Sequence, residues 1–402
     1  MRLLRERSIY PLFAALLLFA TPIHPTGPSS ILWTAPAIVV SAMMIAWAAE
    51  SAQYFIAQGF ALAILAWMQT LPEFAVEAVL AWKQQVPLLL AALTGALRLL
   101  TGIGWPVIYF TAALAHRRKH RAFLRAIRLE PHHSVEVVGL LVPLIYIAVI
   151  ALKGTLTVFD AAVLTAIYAA YLAILSRLPA EGHESVEELE TIPRAIVKSS
   201  RTMRIAIITL LFIGGAALIC YAAEPFLASL LAIATLAGVP NFVFIQWVAP
   251  IVSEFPELAS TVYFARAPNR APMALMNMVS SNINQWTLLM AMLPVLYSLS
   301  AGAASVIPFD SEQKLQLWMT FGQALLGLMF LINMELAWWE AMVLLVFFLI
   351  AFAAPGIGRV VTVGYFGWVV LELWRILAGR RKVTALARFL DTWNTHVRAG
   401  RA

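Results

Sequence analysis

AILAWMQTLPEFAVEAVLAW (residues 63–82) and FIQWVAPIVSEFPELASTVYF (residues 244–264) each set a Pro-Glu pair inside sequence apolar enough to cross a membrane. Hydrocarbon offers no water to a carbonyl freed by proline, and a carboxylate at the bilayer centre costs roughly 2.5–3.5 kcal/mol on insertion scales. A chain that accepts both penalties twice does so for something other than stability. Pro72-Glu73 and Pro256-Glu257 therefore read as the break points of two discontinuous helices. Such breaks, in corresponding positions of two halves, are where proteins built from internal repeats place an ion.

Composition fixes the class. With 62% hydrophobic and 12% charged residues and a mean hydropathy of +0.83, the chain reads as an all-α polytopic membrane protein. Its single cysteine, Cys220, lies in an apolar run, which excludes a disulfide framework and a thiolate metal site. The net charge of +7 belongs to cytoplasmic loops rather than to a nucleic-acid partner. No nucleotide loop, nucleophile elbow or redox centre is present, so neither an enzyme nor a cofactor is expected. The partners expected are the lipid bilayer and small cations. The opening MRLLRERSIYPLFAALLLFA has a basic start and an apolar core, but Pro22, Pro25 and Pro28 crowd the place of a cleavage site. A retained first helix is expected.

Hydropathy places helices near 9–24, 31–50, 53–81, 87–114, 137–152, 157–176, 205–237, 241–264, 273–300, 314–333, 336–354 and 359–378, about 12 spans. Gly214-Gly215 and Pro225 mark points at which 205–237 could divide. With the N-terminus inside and the spans alternating, 23 of the 28 Lys and Arg fall on the inner side. The outer side receives Lys83, Lys153, Lys314 and Arg359, and Arg98 stays at membrane depth. So lopsided a split predicts an integral protein of a bacterial-type inner or plasma membrane, with both termini cytoplasmic. It also runs the two Pro-Glu helices in opposite directions. The expected architecture is two inverted-topology five-helix repeats with discontinuous helices, at 31–177 and 205–354. An extra N-terminal helix (1–30), a cytoplasmic linker (178–204) and a C-terminal helix with a basic tail (355–402) complete it.

Several charged features read as ordinary solvated surface. EGHESVEELE (181–190) is expected to be a flexible linker rather than a metal site. His132, His133 and Glu136 are expected to be solvated at a cytoplasmic edge. The basic, amphipathic RRKHRAFLRAIR (117–128) is expected on the anionic inner leaflet. Trp338, Trp339, Trp368 and Trp374 fit interfacial belts.

The motif residues are Gln69-Thr70-Leu71-Pro72-Glu73 in the first half and Ser253-Glu254-Phe255-Pro256-Glu257 in the second. Downstream of the latter stands Asn277-Met278-Val279-Ser280-Ser281-Asn282-Ile283. On these residues the chain resembles the cation/calcium antiporter superfamily. Its sodium/calcium exchangers carry two inverted repeats with G-T-S-x-P-E and G-S-N-I motifs. The resemblance spans roughly residues 31 to 354, and Ala-Ala-Glu at 48–50 and 222–224 is a further trace of duplication. It implies Glu73 and Glu257 as central carboxylates and Thr70 and Ser253 as hydroxyl or carbonyl ligands. Asn277, Ser281 and Asn282 would be polar ligands from the neighbouring helix. An all-oxygen set of this kind suits Ca2+ or Na+ rather than a soft metal.

The departures from the family pattern are as informative. The first-half counterpart of the second motif is Ala92-Leu93-Thr94-Gly95-Ala96-Leu97-Arg98, where Ala92 and Leu97 replace both asparagines. Glu254 stands where the family has a small hydroxyl. Arg98 brings a cation to membrane depth, for which an ion pair with Glu73, Glu77 or Glu254 is expected. Glu77 follows Glu73 by one helical turn, and Glu254 and Glu257 are spaced likewise. Two carboxylates that close cannot both ionise cheaply, which offers a place for H+. The leading expectation is a sodium/calcium antiporter in which two five-helix halves rock about Glu73 and Glu257. The alternatives are proton-coupled antiport on the same fold, and a non-transporting scaffold or sensor in which Arg98 occupies the cation site.

Overall fold

The computed structural model describes residues 27–52, 70–178, 189, 191–266 and 269–398. The expected helix near 9–24, residues 53–69 with Gln69, and EGHESVEELE apart from Leu189 lie outside the described residues. The helices are α1 (Ile31–Ala52), α2 (Leu71–Trp82), α3 (Val86–His120), α4 (Ser134–Lys153), α5 (Val158–Leu175), α6 (Thr191–Val197) and α7 (Arg201–Ala237). They continue with α8 (Asn241–Ser253), α9 (Phe255–Ala265), α10 (271–301), α11 (Ser311–Leu331), α12 (Trp338–Ala353), α13 (Gly358–Leu377) and α14 (Thr384–Thr392). Four short strands, β1 (Ala126–Arg128), β2 (Thr155–Leu156), β3 (Ile307–Pro308) and β4 (Glu335–Ala337), form two antiparallel ribbons.

The protein is mostly helical. Among the described residues six helices are long and apolar enough to cross a membrane, or seven if α8 and α9 count as one bent span. That is fewer than the expected 12. The apolar α12 has 16 residues, while α10 and α11 carry Asn, Ser and Gln at depth and are not among the six. The break expected at the second Pro-Glu is present, because α8 ends at Ser253 and α9 begins at Phe255.

The described chain forms two units, each drawing on both halves of the sequence. One unit (1–79 and 179–256) is built on α1 packed along α7, with α6 and α8 against both. Helix α7 does not divide at its glycines and runs unbroken for 37 residues, about 55 Å at 1.5 Å per residue. Gly214-Gly215 is a contact rather than a break. A Cβ on Gly215 would stand 2.8 Å from the Ile45 side chain and 2.9 Å from the Ser41 carbonyl, so only glycine admits α1 this closely. Below it Ile45, Ala48 and Ala49 pack on Ile208, Leu211 and Phe212, and the Thr34 and Ser229 hydroxyls meet at 3.0 Å.

The other unit (80–178 and 257–402) holds α3, α4, α5 and α10–α14. Here α3 and α10 are built alike. Each starts with proline at its second residue and runs 14 residues (Val86–Leu99 and Ala271–Asn284). Each then widens into a five-residue π turn, Leu100–Gly104 and Gln285–Leu289. Helix α12 covers the first π turn and α5 the second. Strand β1, in the link from α3 to α4, pairs with β4, in the link from α11 to α12. Strand β2, between α4 and α5, pairs with β3, between α10 and α11.

Two surface expectations change. The 117–128 stretch is helical only to His120; Arg121 takes a left-handed φ of 52° and the chain leaves as β1. His133 is buried rather than solvated, because α14 packs on its turn, and its Nδ1 accepts the Glu130 N–H at 3.3 Å. No group of three metal-ligating side chains occurs among the described residues. Trp338 and Trp374 are exposed, whereas Trp339 and Trp368 are half-buried and stack at 6.4 Å.

Candidate cation site

In the first unit the acids stand near helix ends. Thr70 directly precedes α2, and its carbonyl accepts the Phe74 N–H at 3.1 Å. Glu73 lies in the first turn of α2 and Glu77 one turn on, so both share a face. Thr70, Glu73 and Glu77 are all buried, with Glu73 3% exposed. Helix α8 ends at Ser253, whose hydroxyl donates back to the Ala249 carbonyl at 3.2 Å. Glu254 caps α8 with its N–H on the Pro250 carbonyl at 2.9 Å and is fully buried. The chain breaks there, so Glu254 and Glu257 belong to different helices rather than to successive positions of one face.

In the second unit the motif residues converge. Glu257 sits in the first turn of α9 and is buried. Ser281 on α10 donates its hydroxyl to Glu257 Oε2 at 2.9 Å, a charge-assisted bond that fixes the carboxylate. Asn282, the next residue, donates Nδ2 to Thr101 Oγ1 at 2.9 Å. Its Oδ1 is buried with no hydrogen-bond partner among the described residues. An amide held by one end and with its oxygen left over is a ready cation ligand. Asn277 is half-buried one turn before Ser281, and none of the hydrogen bonds among the described residues joins it to Glu257 or Asn282.

Two residues were missed by motif reading. Thr101, buried in the π turn of α3, stands four residues after Leu97, where the family pattern has lost its amide. It supplies from the first half the hydroxyl that Asn282 uses. Thr261 is buried on α9, one turn beyond Glu257 and on the same face. The only sequence signal for either was a hydroxyl at helical spacing from a motif residue. Ala92 and Leu97 are buried and apolar, matching Asn277 and Asn282 by their distance from the π turns.

Arg98 is 1% exposed. Its Nε donates to the Thr94 carbonyl at 3.1 Å, its Nη1 points at Met319 Sδ 3.7 Å away, and its own carbonyl accepts Gln323 Nε2 at 3.0 Å. Glu312 and Tyr365 act on it electrostatically. Within its unit the guanidinium is thus turned toward α11 and α13.

The sodium/calcium exchanger protein family matches this chain twice, over residues 29–177 and 207–354. The crystal structure of an H+/Ca2+ exchanger, CAX, is similar over 99% of this chain and 97% of its own, with 29% identity and a TM-score of 0.85. The sodium-calcium exchanger NCX_Mj shares the fold at 17% identity, over 81% of this chain and 97% of its own, with a TM-score of 0.53. Native YfkE does so at 16% identity, over 89% and 97%, with a TM-score of 0.57. No curated protein matches the chain. Two family matches covering most of its length, on a helical membrane fold shared with solved exchangers, place the chain in the sodium/calcium exchanger protein family.

Proposed function

We propose that the protein is a secondary cation antiporter that exchanges Ca2+ for H+, with Glu73 and Glu257 as the ion-carrying carboxylates. The observation that carries the cation role is the pair of bonds that α10 makes, Ser281 to Glu257 and Asn282 to Thr101. A carboxylate oriented by Ser281, a buried Asn282 amide oxygen with no hydrogen-bond partner among the described residues, and the Thr101 hydroxyl that holds the amide are hard ligands of the kind calcium prefers. Thr70, Ser253 and Asn277 are assigned supporting roles, Thr70 through its carbonyl and Ser253 through the lone pairs left by its bond to Ala249.

Proton coupling is favoured over the sodium coupling expected from the family name by two observations. Glu77 and Glu254 are two further buried acids of the first unit, available to carry H+. The likeness to the H+/Ca2+ exchanger extends over nearly the whole chain, including the helices beyond the family match. Arg98, whose Nη1 faces Met319 on α11, serves as a fixed counter-charge that lowers the number of cations needed for neutrality.

The ribbons support the inverted repeat. In each, the link between the third and fourth long segments of one half meets the link between the fourth and fifth of the other. Helices that alternate across a membrane bring those two links to one side only if the halves run in opposite directions. Calcium-45 uptake into proteoliposomes under an imposed pH gradient, and separately a sodium gradient, tests the whole reading. Uptake is expected under the pH gradient alone and is expected to vanish in Glu257→Gln; uptake that requires sodium would replace H+ by Na+ as the coupling ion. Absence of flux under both gradients would restore the scaffold.

A further inference from the structure

An open cavity of about 800 Å3 lies beside the β1–β4 ribbon, away from every residue assigned above. Its lining includes Arg125, Arg128 and His116, with Glu335 as the one acid. That acid is already engaged, accepting from Asn333 at 3.2 Å and lying 3.9 Å from the Arg128 guanidinium. The cavity is therefore cationic on balance and unsuited to the transported ion. Its rim carries exposed Phe123 and Trp338, edge to face at 6.2 Å. Aromatic residues of this kind sit at the headgroup level of a bilayer.

The apolar surface that leaves the cavity says what chemistry would fill it. Trp338, Met342, Val346 and Leu349 recur at helical spacing and form one exposed stripe down α12. The stripe is roughly 16 Å long at 1.5 Å per residue, about half of a ~30 Å hydrocarbon core. A soluble anion would use the arginines and leave the stripe idle. A ligand with a phosphate at one end and an acyl chain at the other would use both.

We infer that the cavity between β1, β4 and the start of α12 binds the headgroup of an anionic phospholipid of the inner leaflet, with an acyl chain along the Trp338–Leu349 stripe. Arg125 and Arg128 contact the phosphate, His116 and Asn269 border the headgroup, and Trp338 marks the glycerol level. The inference is independent of which cation is carried.

Native mass spectrometry of the full chain in mild detergent, titrated with phosphatidylglycerol or phosphatidylcholine of identical acyl chains, tests it. The first phosphatidylglycerol is expected to bind about thirtyfold more tightly than phosphatidylcholine, the scale set by two arginines near a membrane surface at about 1 kcal/mol each. The Arg125→Gln/Arg128→Gln variant is expected to bind both lipids alike. Glu335→Gln removes the competing acid and is expected to tighten phosphatidylglycerol about twofold to threefold, a gain that partial misfolding does not produce. Equal binding of the two lipids by the unaltered protein, or unchanged preference in the double variant, overturns the inference. Displacement of phosphatidylglycerol by millimolar glycerol 3-phosphate would instead identify a soluble phosphate as the occupant.

Discussion

Two short hydrogen bonds organise the second-unit site, and they have different energetic weight. The Ser281 hydroxyl reaches a carboxylate, and bonds to charged groups contribute about 1.5–3 kcal/mol. Ser281→Ala is therefore expected to weaken calcium binding roughly tenfold to a hundredfold, read as the apparent KM for calcium-45 uptake. The Thr101 bond joins two neutral groups, worth about 1 kcal/mol. Thr101→Val is expected to raise that KM about fivefold while Thr101→Ser restores it. A merely structural role for Thr101 would lower the thermal midpoint of both variants instead. Glu257, Ser281 and Asn282 were legible because they stand in a recognisable motif. Thr101 was not, because it belongs to a π turn, where the local winding that aims the side chain departs from the 3.6-residue period a sequence can be read by.

At the scale of elements, the π turn of α3 depends on a small residue where α11 and α12 close over it. A Cβ on Gly102 would fall 2.5 Å from Phe348 on α12 and 2.7 Å from the Gln323 amide on α11. Gly102→Ala is expected to cost about 1–3 kcal/mol by overpacking, seen as a lower melting temperature in detergent together with slower flux, since Thr101 is its neighbour. Helical segments and the second Pro-Glu break were readable from hydropathy and from proline's missing donor. The fate of Gly214-Gly215 was not. A glycine pair reads equally as a hinge or as a place where two helices touch, and only the carbonyl of Ser41 at that spot decides between them. The stretch 53–69 that precedes the first Pro-Glu lies outside the described residues.

At the scale of the whole molecule, a buried ionic knot ties the residues beyond the family match to Glu340 and Phe330 within it. Arg381 reaches Glu340 at 2.6 Å and Glu372 at 2.8 Å, and also donates to the Phe330 carbonyl at 2.6 Å. Arg375 completes the set on Glu372 at 2.8 Å. All of Arg381, Glu340 and Glu372 are buried, so the knot ties α12, α13 and the end of α11 together. Removing one member strands the others, and Arg381→Ala is expected to cost about 3–5 kcal/mol, measured as loss of the folded fraction in a thermal melt. The class of the protein was legible from composition, but this knot was not, since its acids and its arginine lie in separate segments with no spacing rule to connect them. The ribbons carry a consequence for how the chain is made. Ala126 of β1 pairs with Ala337 of β4, so the first strand leaves the ribosome about 210 residues ahead of its partner. At ~5–20 residues per second that is a wait of roughly ten to forty seconds. Throughout that interval the early half stands at the membrane with an open strand edge, and its final form is decided by residues that do not yet exist.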